Sequence, residues 1–114
     1  MHELGIVFHV IKRLENLASE QNLSAIQSVT LEIGEVSGVV PSYLTDCWQW
    51  AVKKTSVMQN SALRIETIKA VTLCNSCKQT YSTVEHGKTC PFCKSGDTVL
   101  SVGNEMNIKE IEAC

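Results

Sequence analysis

The sequence predicts an α+β fold, in which two helices pack on a small three-stranded sheet and a separate cysteine-rich module is inserted. Two segments have apolar residues at helical spacing, and three show the alternation of a half-buried strand. Between the second and third strands, a short stretch holds four of the six cysteines. With 114 residues and 44% hydrophobic residues, the chain can form one compact domain with a small appended module.

The first helix is predicted over about residues 4 to 20. Glu3 falls in its first turn, where a negative charge suits the helix dipole, and Asn22 is predicted to end it. The apolar positions form one stripe, which we interpret as the face that packs on the sheet. These residues are Leu4, Val7, Phe8, Ile11, Leu14 and Ala18.

The other elements of this body follow from strand alternation and from one proline. Strands are predicted around residues 29–33, 63–66 and 106–109, because apolar and polar residues alternate there. Pro41 suits the first turn of a second helix, where its missing N–H costs no hydrogen bond. One face of that helix is formed by Leu44, Trp48, Ala51 and Thr55, with Cys47 beside them.

Composition and charge argue against several classes of protein. A net charge of -2 and a pI near 5.9 are unlike the basic footprint of nucleic-acid binding. No apolar run approaches the roughly 20 residues that span a bilayer, and the amino terminus lacks the layout of a signal peptide. We therefore expect a cytoplasmic protein that binds neither nucleic acid nor a membrane. Because no nucleophile, base and orienting group form a set, we expect no enzyme.

Two C-x-x-C pairs predict one metal site. Each pair places two sulfurs on one side of a tight turn, and the residues between the pairs can form a hairpin that joins them. Four thiolates make a closed tetrahedral site, which zinc favours and which leaves no position for a reacting water. A rubredoxin-like iron site uses the same ligands and stays open as an alternative. The four candidate ligands are Cys74, Cys77, Cys90 and Cys93.

Met1-His2-Glu3 offers a second, weaker indication of metal binding. The Met1 amine, the His2 backbone nitrogen and the His2 imidazole can form fused chelate rings. Ni(II) and Cu(II) accept such square-planar nitrogen donors, whereas zinc prefers a tetrahedron. The Glu3 amide or another side chain would complete the plane. Taken alone, the pattern is better explained by an ordinary exposed histidine.

Four further residues are assigned ordinary roles. His9 follows His2 by seven residues, about 10.5 Å along a helix, which is too far for joint ligation. We expect His9 and His86 to be solvated, Cys47 to be a small core residue and Cys114 to be an exposed thiol.

In order, spacing and position, these motifs resemble the HypA/HybF nickel metallochaperones of NiFe-hydrogenase maturation, over essentially the whole chain. The resemblance includes Met1-His2-Glu3, residues 31–38, Pro41 with its helix, both cysteine pairs and residues 106–112. It implies a nickel cargo held by His2, with Met1 and Glu3 as main-chain donors, and a structural zinc held by the four cysteines. It also implies two partners, a HypB-type nickel GTPase and the hydrogenase large subunit.

The predicted organisation is a nickel-binding α+β domain, residues 1–70 plus 100–114, and a zinc-binding domain, residues 71–99. A homodimer stays open, since a hinge near 69–73 would permit the zinc module to swap between subunits. Two other functions also stay open. One is a zinc-ribbon protein-interaction module without a nickel function, and the other is a rubredoxin-like electron carrier.

Overall fold

A computed structural model describes residues 3–114 and shows a mixed helix and sheet fold, which confirms the predicted α+β class. One sheet has the strand order β2-β1-β6 and the other has the order β4-β3-β5. None of the helices in the described part of the chain has the length and apolar character needed to cross a membrane. The helices are α1 (Glu3–Gln21), α2 (Pro41–Ala51) and α3 (Thr83–His86), and the strands are β1 (Ile26–Gly34), β2 (Ala62–Ile68), β3 (Val71–Cys74), β4 (Thr80–Ser82), β5 (Thr98–Val102) and β6 (Met106–Ala113).

The chain divides into two compact units. The helical unit consists of the described residues up to Glu32, with Val39–Glu66 and Asn107–Cys114. The cysteine unit consists of Ile33–Gly38 and Thr67–Met106. The cysteine unit therefore includes more of the chain than the segment 71–99 that the cysteine spacing singles out. The segment at the end of β1 belongs to the cysteine unit because its backbone pairs there, and no sequence motif predicts that pairing.

Helix α1 buries a narrower stripe than its sequence predicts. Val7, Ile11 and Leu14 are buried as expected, and so is Val10. Leu4 and Phe8, which we assigned to the core, are 41% and 45% exposed. The assignment of these two was wrong because the buried face of α1 is centred nearer Val10, which places them at its margin.

Helix α2 buries the face that its sequence predicts. Leu44 and Trp48 are inaccessible or nearly so, and the Trp48 indole N–H donates to the Ser61 carbonyl at 2.9 Å. The helix ends at Ala51 and a single 3₁₀ turn follows, so Thr55 lies beyond it in extended backbone. The second indole, Trp50, is 51% exposed.

Trp50 is held on the surface by two neighbours. Its ring meets that of Phe8 edge to face, with the centroids 6.2 Å apart. The Lys54 ammonium lies 4.3 Å from the Trp50 ring centre, a cation–π arrangement. Exposed aromatic rings on α1 and α2 therefore form a small apolar surface of the helical unit.

A glycine contact organises the cysteine unit. A Cβ on Gly34 would lie 2.0 Å from the Gly103 carbonyl oxygen, and a Cβ on Gly103 would lie 2.4 Å from the Ala70 Cα. Gly103 also has a φ of +125°, which side-chain-bearing residues rarely adopt. Hydrogen bonds flank the contact: the Val36 N–H donates to the Gly103 carbonyl, and the Ala70 N–H donates to the Glu35 carboxylate. Only glycine at both positions permits this approach.

Replacing Gly34 with alanine should therefore disrupt the cysteine unit. We expect Gly34→Ala to destabilise the protein by about 3 kcal/mol, because backbone atoms rather than a flexible side chain obstruct the new methyl group. Urea denaturation, followed by circular dichroism, measures the change. Gly96→Ala is the matched control, since a Cβ there meets nothing within 4 Å. Equal stability of the two variants would contradict this account.

Candidate metal centre

The two C-x-x-C segments fold into the same turn. In each, the N–H of the residue four positions after the first cysteine donates to that cysteine's carbonyl: Lys78 to Cys74 at 2.9 Å and Lys94 to Cys90 at 3.0 Å. In each, the first cysteine's own N–H donates to the carbonyl five residues on, at 2.9 Å. The repeated hydrogen bonds place the four thiols by two equivalent local structures.

Left-handed backbone closes both turns. Lys78 has a φ of 64° and Lys94 a φ of 65°, although neither is a glycine. This conformation is uncommon for such residues, and here it is held by the hydrogen bonds that each turn makes. Sequence reasoning missed this feature. The lysine that directly follows the second cysteine of each pair gives no signal for it, because Gly, Asn and Asp are the residues that favour this conformation.

The four cysteine sulfurs form a compact cluster. All lie within 4.8 Å of one another, and the Cys74–Cys93 and Cys77–Cys90 pairs are both 3.6 Å apart. A tetrahedral site with zinc–sulfur bonds of about 2.3 Å has sulfur–sulfur edges of about 3.8 Å. Among residues 3–114, this is the group of histidine, cysteine and acidic side chains whose ligand atoms converge closely enough for a metal ion.

Strand β3 and a small core hold the cluster. Cys74 ends β3, which pairs antiparallel with both β4 and β5. Tyr81 of β4 packs against Cys74, Cys90 and Cys77, and its hydroxyl donates to the Gly87 carbonyl at 3.0 Å. Two of the four candidate ligands, Cys74 and Cys90, therefore also belong to this core.

Opposite pKa shifts distinguish two thiols of the first pair. The Cys77 backbone N–H lowers the pKa of Cys74 to about 7, against the opposing effect of desolvation. The Gln79 backbone N–H acts to lower the pKa of Cys77, but desolvation and the neighbouring thiols outweigh it and raise that pKa to about 12. A metal that binds all four sulfurs would displace the protons that the thiols still carry. Metal uptake at this cluster should release protons.

The other candidate ligands lie outside the cluster. His86 is on α3, where its ring meets that of Tyr81 edge to face, with centroids 5.9 Å apart. His9 and Cys114 are exposed. Cys47 is partly exposed and lines a shallow apolar depression with Leu4 and Trp50, so it does not sit in the core as predicted.

The predicted nickel ligands fall partly outside the described residues. Met1 and His2 lie outside the described residues. Glu3 is buried at the start of α1, and its carboxylate accepts a hydrogen bond from the Val40 N–H at 3.0 Å. Val40 is the residue that caps α2. The Glu3 side chain therefore connects the first turn of α1 to the beginning of α2, a contact that the sequence did not predict.

Loss of the Glu3 carboxylate should have a pH-dependent effect. The hydrogen bond from the Val40 N–H lowers the pKa of the Glu3 carboxyl below its unfolded value of about 4.3, and the backbone N–H of Glu3 itself adds a smaller lowering. The contact therefore stabilises the fold above that pH and is lost as pH falls through the folded pKa. We expect Glu3→Ala to lower the Tm at about pH 7, and the difference from wild type to shrink below about pH 4. Glu20→Ala, an exposed change on the same helix, is the control. A pH-independent difference would contradict the assignment.

Loss of one cluster thiol should remove the metal and disrupt the cysteine unit. We expect Cys90→Ser to reduce bound zinc from one equivalent to near none, because a serine hydroxyl is a poor replacement for a thiolate. Elemental analysis after dialysis measures the zinc, and it detects iron if the rubredoxin-like alternative holds. Cys47→Ser should keep a full equivalent. Zinc retained in Cys90→Ser would exclude this ligand set.

Comparisons with known proteins place the chain among nickel-handling proteins. A family described as "Hydrogenase/urease nickel incorporation, metallochaperone, hypA" matches residues 1–113. "Hydrogenase maturation factor HypA" of Albidiferax ferrireducens is 33% identical over 112 residues, and that of Dechloromonas aromatica is 34% identical over 112, each covering 98% of both chains. A solution structure of a HypA protein is 25% identical, with a TM-score of 0.76 over 100% of this chain and 97% of that one. The Ni metallochaperone HypA from Helicobacter pylori, 24% identical, shares the fold, with a TM-score of 0.74 over 99% and 97%.

Proposed function

Because the chain belongs to the HypA family of hydrogenase and urease nickel metallochaperones, we propose that it binds Ni(II) at its amino terminus and helps to insert it into NiFe hydrogenase. The match over residues 1–113 is the observation that supports this most directly. The family description names two enzymes, hydrogenase and urease. Hydrogenase is the better candidate, since the relatives of about one-third identity are named as hydrogenase maturation factors.

The proposal assigns zinc to the four cysteines. Their spacing fits a tetrahedral ion, and two of them, Cys74 and Cys90, are completely buried. Four thiolates would fill the coordination sphere of zinc, so the ion would have no open position for substrate or water. We assign it the role of holding the cysteine unit together, with iron as the alternative that metal analysis excludes or supports.

Nickel is assigned to His2, with main-chain donors from Met1 and Glu3. The Glu3 carboxylate is engaged by the Val40 N–H, which supports a main-chain role for Glu3 rather than ligation through its side chain. The same contact ties the residue after His2 to the folded body. A site built on the chain terminus, with a replaceable fourth ligand, would permit nickel to leave, as a carrier requires. The closed sulfur cluster would not permit its ion to leave in this way.

The partners follow from the same proposal. We assign a HypB-type nickel GTPase as the partner in delivery and the hydrogenase large subunit as the recipient, in the cytoplasm. The exposed rings of Phe8 and Trp50 offer the helical unit an apolar contact surface. Carrier action needs no catalytic group, and we propose no enzymatic activity. A homodimer is compatible with this role but is not required by it.

Nickel binding should depend on an unmodified amino terminus and on His2. We expect His2→Ala, and a chain extended by one residue before Met1, each to lose the nickel equivalent while zinc stays bound. Calorimetric titration with Ni(II) and elemental analysis give the two readouts. His9→Ala, on the exposed side of α1, should bind nickel as wild type does. Unchanged affinity in both terminal variants would exclude the terminal site, and no nickel binding by the wild-type chain would favour the interaction module.

The pH dependence tests the imidazole separately. Nickel requires the neutral ring, and an unperturbed histidine has a pKa of about 6.5. Affinity measured at about pH 7.5 should therefore exceed affinity at about pH 6 in the wild-type chain. Equal affinities at the two pH values would argue against His2 as a ligand.

A further inference from the structure

A groove runs between α1 and β6 in the helical unit. It has a volume of about 470 Å³, and its apolar lining is Leu14 and Leu17 of the helix with Ile108 and Ile111 of the strand. It lies on neither the cysteine cluster nor the first turn of α1, so the proposed nickel and zinc sites do not account for it.

Strand β6 forms one edge of the groove and one edge of its sheet. In the order β2-β1-β6, the described part of the chain gives β6 a neighbouring strand on one side only, and β6 is 8 residues long. An edge strand of this length presents unpaired backbone donors and acceptors, to which another extended chain can add. Lys109 and Glu112 are engaged in ion pairs with Glu66 and Arg64 of β2 and do not line the groove. Of the charged side chains of β6, Glu110 alone therefore lines the groove, between Ile108 and Ile111.

Acidic and basic side chains lie at different positions along the groove. The carboxyl end of β6 lies beside the chain that follows α1, because the Cys114 carbonyl accepts from the Ser24 N–H at 2.7 Å. Glu20, in the last turn of α1, therefore lies towards that end, Arg13, two turns earlier, lies towards the other, and Glu110 lies between Ile108 and Ile111 on β6. Among residues 3–114, none of these three groove side chains makes an ion pair. The groove thus has an acidic end and a basic end.

We propose that this groove docks an extended segment of a partner protein, which adds to β6 as a further antiparallel strand. Its apolar residues, at alternate positions, would fill the space beside Ile108 and Ile111. A lysine or arginine near its amino-terminal end would pair with Glu20 and Glu110. A second copy of this chain fits poorly, because symmetric antiparallel pairing about the middle of β6 would bring together two copies of Lys109 or two copies of Glu110, and like charges oppose cross-strand pairing. The proposal stands independently of nickel binding.

The probe is a synthetic peptide as long as β6, with valine and threonine alternating and a lysine near its amino terminus. A matched peptide has glutamate in place of that lysine. With the full zinc-loaded chain, we expect the lysine peptide to bind more tightly and to slow amide hydrogen exchange in residues 107–113, measured by NMR. Glu110→Lys should weaken the lysine peptide by about fivefold and reverse the preference between the peptides.

Glu15→Lys is the control, since Glu15 lies on α1 but does not line the groove. It makes the same change in net charge and should leave the preference intact. Three results would overturn the proposal. The first is that the β6 amides stay unprotected from exchange at saturating peptide. The second is that Glu110→Lys and Glu15→Lys change the preference between the peptides equally. The third is protection of β6 that rises with protein concentration in the absence of peptide, which would identify a second copy as the occupant.

Discussion

The convergence of four sulfurs is the constraint on which the cysteine unit depends. Its small core consists of Cys74, Cys90 and Tyr81, with Cys77 packed against them, so the candidate ligands are also core residues. A core this small contributes little hydrophobic stabilisation, and small domains of this kind commonly rely on a metal. The thiols would repel one another as thiolates without a cation between them. We therefore expect the stability of this unit to depend on metal occupancy.

The glycine contact in the same unit allows two distant backbone segments to approach closely. Residues from the end of β1 must meet residues some seventy positions later, and they do so by backbone approach rather than by side-chain packing. Gly34 and Gly103 remove the atoms that would obstruct it, and the Glu35 carboxylate satisfies the Ala70 N–H beside it. Packing of this type has no hydrophobic pattern, so no local pattern in the sequence indicates it.

The two proposed metal sites would differ in the physical basis of their binding. The sulfur cluster is built from two hydrogen-bonded turns whose four sulfurs lie within 4.8 Å of one another, an arrangement that suits an ion that stays. The terminal site would use a free amine, a backbone nitrogen and an imidazole, all of which titrate or exchange. Glu3 adds one fixed point by its contact with Val40, so the donors would be tethered without being enclosed. A carrier benefits from this division, because one metal can leave without unfolding the protein.

The sequence alone determined the local features of this protein. Alternation predicted the three strands of the first sheet, Pro41 marked the start of α2, and the two C-x-x-C pairs identified the four thiols that converge. Each depends on near neighbours in the chain, where periodicity and turn chemistry act directly. The family resemblance, drawn from the order of these motifs, was confirmed by the match over residues 1–113.

Tertiary structure decided the rest. Which margin of the α1 stripe is covered depends on how α2 packs, so Leu4 and Phe8 could not be separated from Val7 by their spacing. The partner of the Glu3 carboxylate lies 37 residues away, and the groove beside β6 exists only because that strand takes an edge position. These features arise from contacts between residues that are distant in sequence. The assembled fold sets the geometry of such contacts, and a local sequence pattern does not contain it.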